Sequence, residues 1–169
     1  FATRAEAQAN LIRGRCLPYG DGITFWPLAE AIREAAGITN EDSPRVATRR
    51  VDRILERAEV TDRHAVVERV AAAINLSPAQ FPVAELMWGA RRLLEVLAAD
   101  RPLVLLVDDL HWAEPTFLEF LDHLLDSVEN ASLLILGSSR HEISERHAEW
   151  TAAHLAMLIT LQPLSEADA

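Results

Sequence analysis

Residues 103–107 form an uninterrupted aliphatic run, Leu-Val-Leu-Leu-Val, that ends at two adjacent carboxylates, Asp108 and Asp109. Polar residues and Pro102 come before the run. An aliphatic run this short, with polar residues on both sides, predicts a parallel β-strand that is buried on both faces. Such a strand needs helices on both sides of its sheet, so this feature points to an α/β fold.

The rest of the chain fits that class. A length of 169 residues suits one domain. Asn10 to Cys16 has the pattern of an earlier strand, and strand and helix patterns alternate in the second half. This alternation predicts a parallel sheet with helical crossovers. The elements predicted there are strand 103–107, helix 115–128, strand 133–138, helix 144–155 and strand 157–161.

The first half of the chain is dominated by helix signals. Pro27 and Ser43-Pro44 mark helix starts, we expect Asp62 to cap a third helix, and residues 83–99 carry the strongest apolar stripe. Four helices between two strands exceed a minimal crossover. We therefore interpret residues 38–80 as a helical insertion packed on the sheet edge.

Asp108 and Asp109 are the main candidates for a functional site. They follow a predicted strand at its carboxyl end, where open α/β sheets bind their ligands. Mg²⁺ is commonly held there by one or two carboxylates together with substrate phosphates. Asp108 would then hold the metal, and Asp109 would orient or polarise an attacking water. The alternative is a structural one, because Asp-Asp after a strand also suits a turn and a helix start.

A second polar group follows the predicted strand 133–138. The planar guanidinium of Arg140 suits phosphate recognition, and the alternative is a surface arginine paired with a nearby glutamate. The hydroxyl of Ser138 or Ser139 would position a water, or else cap the next turn. His111, beside the acidic pair, is interpreted mainly as a hydrogen-bonded loop histidine.

Composition and charge exclude several functions. The formal net charge of −10 argues against direct nucleic-acid contact and against binding to an anionic membrane. No apolar stretch approaches the ~20 residues that span a bilayer. The single cysteine, Cys16, is expected to be buried, and it fits a reducing cytoplasm. One helix carries a basic stripe at Arg49, Arg50, Arg53 and Arg57, for which the default is a salt-bridged surface and the alternative is partner or anion binding.

Several segments resemble one family, in the family's order. Val107 to Pro115, Val-Asp-Asp-Leu-His-Trp-Ala-Glu-Pro, resembles the Walker B region of the STAND-class signalling ATPases. It is most similar to the AAA-like modules of LuxR-type transcriptional regulators and of class III adenylate cyclase proteins. Gly14 to Leu28 resembles the segment after the family's second strand, and Leu133 to Arg140 resembles its fourth strand with a sensor-like arginine. Leu161 to Asp168 resembles the stretch that closes the core.

This resemblance implies a P-loop NTPase-like parallel sheet that binds ATP and Mg²⁺ as a regulatory switch. Asp108 would be the metal ligand and Asp109 the catalytic acid, while Arg140 and Ser139 would contact the nucleotide. Asp109 stands where related ATPases often carry glutamate, so slow hydrolysis is expected. The partners implied are ATP with Mg²⁺ and other domains of the same chain.

No Gly-x-x-x-x-Gly-Lys-Ser/Thr loop occurs in residues 1–169. In the family, that loop and the first strand precede the position of Phe1, so we expect a truncated domain that is inactive alone. The family's sheet order, 5-1-4-3-2, would leave exposed edges that allow self-association. Strand 157–161 would then shift to pair with 133–138, detach, or leave a gap that another chain fills.

A second interpretation keeps the fold without the chemistry. In it, the chain is a non-catalytic regulatory module that binds partners through its helical insertion. The two interpretations differ in the phosphate-binding loop: an intact loop upstream favours the ATPase switch, and a degenerate loop favours the interaction module.

Overall fold

A three-stranded parallel sheet forms the centre of the computed structural model, which describes residues 7–18, 25–128, 131–148, 150, 157 and 159–161. The strands β1 (Asn10–Arg15), β2 (Leu103–Asp108) and β3 (Leu133–Gly137) lie side by side in that order. In the register, Leu105 of β2 lies opposite Ile12 of β1 and Ile135 of β3. The predicted α/β class and the parallel sheet are confirmed.

The two faces of the sheet differ in burial. On one face, Ile12, Leu105 and Val107 are buried, and helices cover them. On the other face, Leu106 is half-buried and Leu134 is 51% exposed. Val104 of the central strand is also buried on this second face, so β2 is covered on both sides and β3 is the least covered of the strands.

Two helices follow β1, and each begins where the sequence predicts. Helix α1 (Trp26–Ala36) carries Pro27 in its first turn and ends at Gly37, whose φ of 62° gives the left-handed C-cap that glycine favours. Helix α2 (Pro44–Arg57) begins after Ser43, whose Oγ accepts a hydrogen bond from the Val46 N–H at 3.4 Å.

Helices α3 (Arg63–Ala73) and α4 (Val83–Leu97) pack against each other, and α2 packs on both. The prediction that Asp62 caps α3 with its side chain is wrong. Asp62 occupies the N-cap position, but its backbone is not extended and its carboxylate makes no capping bond. Instead, the carboxylate Oδ2 of Asp62 lies 3.4 Å from Nε of Arg92 on α4. Asp62 therefore links α3 to α4.

A short 3₁₀ turn, Leu110–Trp112, connects β2 to helix α5 (Pro115–Ser127), which begins at the expected proline. The ring of Phe120 in α5 meets that of Phe25 edge-on at 6.1 Å, which ties this helix to the start of α1. No helix in these described segments has the length and apolar character that a bilayer crossing requires.

The C-terminal elements differ from the prediction. The helix expected over 144–155 appears as α6 (Ile143–Arg146), interrupted at His147; residues 148 and 150 are helical, and the remainder lies outside the described residues. The strand predicted over 157–161 is wrong for its described residues, which belong to no strand. Met157, Ile159 and Leu161 are 77%, 69% and 87% exposed. Alternating apolar residues form a strand only when a neighbouring backbone supplies hydrogen bonds, so of the three expected outcomes this segment matches detachment.

The two edges of the sheet are protected unequally. On β1, the N–H groups of Arg13 and Arg15 point away from β2 and donate to the carboxylates of Glu34 (2.6 Å) and Glu30 (2.8 Å), which lie one turn apart on α1. These bonds occupy donors that an added strand would need. Next to β3, the N–H of Ser138 donates to the carbonyl of Val107, so the N–H groups of even-numbered residues face β2. The N–H groups of the odd-numbered residues of β3 therefore point away from the sheet. Those groups have no acceptor among the described residues.

Replacing Gly14 by alanine tests the contact between β1 and α1. An added Cβ at this position would lie 2.0 Å from the backbone oxygen of Pro27, which cannot move without shifting α1. We expect Gly14→Ala to lower the free energy of unfolding by at least about 3 kcal/mol in urea denaturation. Gly137→Ala is the control, because the nearest atom to its Cβ is a Leu110 methyl at 2.8 Å that can rotate away; we expect about 1 kcal/mol. Equal losses in the two variants would contradict this interpretation.

Candidate functional site

The carboxyl ends of the three parallel strands meet at one edge of the sheet. Arg15 ends β1, Asp108 ends β2, and Ser138 directly follows β3. Parallel pairing places these ends side by side, which is why residues far apart in the chain become neighbours. This edge holds the acidic pair and the serine–arginine segment that the sequence singles out.

Asp108 is held from both of its neighbouring strands. Its carboxylate Oδ1 accepts a hydrogen bond from the Ser138 hydroxyl at 2.7 Å. Its backbone carbonyl accepts a bond from the N–H of Cys16 at 2.9 Å. The first bond orients the half-buried carboxylate toward the end of β3, and the second extends the β1–β2 pairing to the last residue of the strand.

Asp109 faces the opposite neighbour. Its φ of 56° and ψ of 39° place it in the left-handed region, which aspartate tolerates better than most side chains. Its carboxylate Oδ2 lies 3.0 Å from Nε of Arg15, in an ion pair that is well exposed to solvent. Because β1 and β3 flank β2 on different sides, the two acids turn toward different strands and do not form a joint chelate.

The turn after Asp109 is tied to the loop after β3. The N–H of Leu110 donates to the carbonyl of Ser138 at 2.9 Å. His111 is buried, and its Nδ1 accepts a hydrogen bond from the N–H of Arg140 at 3.4 Å. His111 therefore serves as the hydrogen-bonded loop histidine predicted from the sequence. Its ring also contacts that of Trp112, with 5.1 Å between the centroids.

Arg140 presents a free guanidinium at this edge. Its side chain is exposed and makes no hydrogen bond or ion pair within the part of the chain that the structure describes. The alternative pairing with a nearby glutamate is therefore not observed there. The hydroxyl of Ser139 donates to the carbonyl of Arg140 at 2.9 Å, which is a local turn contact.

Cys16 lies beneath the acidic edge. Burial, together with the nearby carboxylates of Asp109 and Glu30, which disfavour a further negative charge, raises the pKa of its thiol to about 12. At neutral pH the thiol is therefore protonated and unreactive. Cys16 is a small buried core residue, as the sequence predicts, and not a nucleophile.

The donor set at this edge fits one mode of magnesium binding. Within the described segments, no group of three or more His, Cys, Asp or Glu residues is placed to hold a metal, so a site made by protein ligands alone does not fit there. A magnesium ion that arrives with a polyphosphate needs only one or two carboxylates from the protein. Asp108 fits that requirement, because Ser138 engages one carboxylate oxygen and the other makes no hydrogen bond or ion pair with the residues that the structure describes.

Two further side chains, those of Trp112 and His123, have structural roles. Trp112 packs against the core, and the Nδ1 of His123 lies 3.3 Å from the hydroxyl of Ser127. Sequence reasoning missed Arg15 as the partner of Asp109. The signal was available, since Arg15 is the last residue of a strand whose end shares an edge with the acidic pair.

A sequence profile of the AAA ATPase domain matches residues 1–136. No curated protein and no solved structure gives a match. The matched range makes up more than half of the chain and contains β1, β2 and most of β3, so it includes Arg15, Asp108 and Asp109. The chain therefore belongs to the AAA ATPase domain family.

Proposed function

We propose that this chain is part of an ATP-dependent regulatory switch. The observation that carries the proposal is the polar edge where Asp108 is oriented by Ser138 while the guanidinium of Arg140 stays free nearby in the chain. Membership of the AAA ATPase domain family supports a nucleotide as the ligand. Under this proposal, Asp108 holds Mg²⁺, Asp109 is the catalytic acid, and Arg140 and Ser139 contact the nucleotide.

Each residue has a distinct task in this mechanism. Mg²⁺, when it is bound with ATP, neutralises charge that develops on the phosphates. Ser138 keeps the Asp108 carboxylate in one orientation, and Arg140 supplies a planar cation for a phosphate. Asp109 orients an attacking water, and its pairing with Arg15 holds it apart from Asp108. Because aspartate is shorter than the glutamate common in related ATPases, slow hydrolysis is expected.

The contacts behind the edge supply a route for switching. A phosphate that draws Arg140 toward it pulls on the loop after β3, which is bonded to His111 and to Leu110. If these bonds hold, the turn after β2 moves together with the loop, and if they break, the turn is released. In both cases the turn after β2 changes when the nucleotide binds. A ligand that favours one arrangement of the two loops shifts the population toward it.

The resemblance to STAND-class modules supports a more specific assignment. We propose that the switch belongs to a multidomain LuxR-type transcriptional regulator or a cyclase-associated protein, in which other domains of the same chain are its partners. The net charge of −10 supports leaving contact with DNA and with membranes to other parts. The single cysteine, Cys16, which cannot form an internal disulfide, supports a reducing compartment, the cytoplasm.

The second candidate function is a non-catalytic interaction module with the same fold. It is supported by the arrangement of the two acids, because Asp108 contacts Ser138 whereas Asp109 pairs with Arg15, so they do not form a joint chelate. The native open reading frame distinguishes the two, because an intact phosphate-binding loop supports the switch and a degenerate loop supports the module.

Residues 1–169 alone are expected to show no measurable MgATP binding. Phosphates are held mainly by loop amides and a lysine, and each charge-assisted hydrogen bond contributes about 1.5–3 kcal/mol. Losing three such bonds weakens binding by about a thousandfold or more. Isothermal calorimetry at physiological salt provides the measurement. Micromolar affinity would show that the phosphates are held by other residues.

Asparagine substitutions at the acidic pair test the proposed roles in the protein encoded by the native open reading frame. Asn suits the left-handed backbone of position 109, so Asp109→Asn preserves the turn. We expect Asp108→Asn to weaken MgATP binding about 10- to 100-fold. We expect Asp109→Asn to leave binding unchanged and to slow hydrolysis by about a hundredfold or more.

Asp126→Asn is the matched control, because Asp126 is an exposed carboxylate on α5, away from the strand ends. It should leave both binding and hydrolysis unchanged. If Asp108→Asn behaves like this control, the metal role is refuted, and if no variant of the native protein binds ATP, the interaction module replaces the switch.

We also propose that residues 1–169 self-associate through β3. Its outward N–H groups are unpaired in the described segments, Leu134 is 51% exposed beside them, and the β1 edge is capped by Glu30 and Glu34. One open edge allows two copies to pair around a twofold axis and then stops further growth. The occupant proposed for this edge is therefore a second copy of the chain.

Lysine substitutions at two equally exposed leucines test this association. Leu134 on β3 and Leu125 on α5 are 51% and 52% exposed. We expect Leu134→Lys to raise the dimer dissociation constant about tenfold or more, and Leu125→Lys to leave it unchanged, as measured by sedimentation equilibrium. A wild-type chain that stays monomeric at all concentrations, or equal effects of both substitutions, would argue against pairing through β3.

A further inference from the structure

Helix α2 carries four arginines at four-residue intervals. They are Arg45, Arg49, Arg53 and Arg57, here called the arginine face. All four side chains are exposed, whereas the buried residues of α2, Ala47, Val51 and Leu55, lie on the opposite side of the helix. The arginine face spans about 18 Å along the helix axis.

None of these arginines has a hydrogen-bond or ion-pair partner in the part of the chain that the structure describes. The acids on this side of α2 are already engaged, since Asp52 and Glu56 both pair with Arg63 of α3, at 3.2 and 3.0 Å. Like charges at this spacing destabilise an isolated helix. The arginine face therefore carries an uncompensated positive charge.

That charge is unusual in this protein. The chain has 26 acidic residues against 16 basic ones, so carboxylates are plentiful. Arginines elsewhere use them: Arg50 pairs with Asp42, and Arg69 pairs with Glu85 at 2.7 Å. The default of a salt-bridged surface thus holds for Arg50 but fails for the arginine face.

A groove of about 560 Å³ lies between α2 and α3, beside the N-terminal half of the arginine face, and is here called the α2–α3 groove. Arg45 and Arg49 line it on the α2 side. The two carboxylates in its lining, Asp52 and Glu68, are already paired with arginines of α3. Val67 and Ala71 of α3, together with Leu76, give it an apolar lining. A cationic wall beside an apolar lining matches a ligand that has both negative charges and an apolar side chain.

We propose that the arginine face and the α2–α3 groove bind an acidic polypeptide segment, with one apolar side chain in the groove and carboxylates on the arginines. A polypeptide fits better than a nucleic acid for two reasons. The net charge of −10 disfavours a nucleic acid, which carries a charge at every phosphate, more than a short polypeptide segment with a few carboxylates. Among the described residues, the lining also contains no Phe, Tyr or Trp on which a base would stack.

Binding of an acidic peptide tests the proposal. The probe is a fluorescein-labelled peptide of about 15 residues, rich in glutamate and with a central leucine. Even as a helix, a peptide of this length spans the arginine face. We expect anisotropy to report binding at low salt that weakens as the salt concentration is raised. Replacing the central leucine by serine should weaken binding as well, because the groove then loses its apolar contact.

Charge reversal locates the site. Arg45→Glu with Arg49→Glu should weaken peptide binding at least tenfold. The matched control, Arg33→Glu with Arg101→Glu, changes the net charge equally but outside the arginine face and the α2–α3 groove, and should leave affinity within about twofold of wild type. Circular dichroism of each variant checks that the helices remain folded.

Three results would overturn the proposal. One is the absence of peptide binding at low salt, and another is an equal loss in both double variants, which would indicate a response to net charge alone. The third is tighter binding of single-stranded DNA of similar length, or of phosphatidylserine vesicles, lost in the Arg45 and Arg49 variant. That result would assign the arginine face to a different partner.

Discussion

The pairing of β2 with a parallel strand on each side is the constraint on which the rest of the structure depends. It satisfies the backbone groups of a fully apolar strand, and it brings the carboxyl ends of all three strands to one edge. The carboxylate of Asp108 is oriented because this pairing places the Ser138 hydroxyl 2.7 Å from it. Without the register, the acidic pair would be two aspartates in an exposed turn.

The same pairing separates the roles of the two acids. Asp108 is the last residue of β2, and the left-handed backbone of Asp109 turns the chain there, so the two side chains leave the strand end in different directions. One carboxylate then faces the serine–arginine segment, and the other faces Arg15. Such a division suits a site in which one acid binds and the other acts on water, and it is a property of the sheet rather than of the Asp-Asp sequence.

Much of the fold was predictable because local signals and tertiary packing agree. Apolar runs, prolines and caps correctly predict the strands that begin at Asn10, Leu103 and Leu133. They also predict the helices that begin at Pro44 and Pro115. The strand over 157–161 failed because alternation describes a side-chain pattern but not the presence of a backbone partner. Asp62 failed because a longer-range attraction to Arg92 competes with capping.

The candidate site was predictable in its residue types but not in its contacts. The sequence alone shows that two acids follow one strand and an arginine follows another. It also shows the likeness to ATPases of the AAA family. Tertiary structure decided the contacts. It brought Asp108 to Ser138 and Asp109 to Arg15, it placed Glu30 and Glu34 on the edge of β1, and it left the arginine face without partners among the described residues. The physical reason is that ion pairs and strand-edge hydrogen bonds depend on distances between distant segments, which only packing of the helices on the sheet sets.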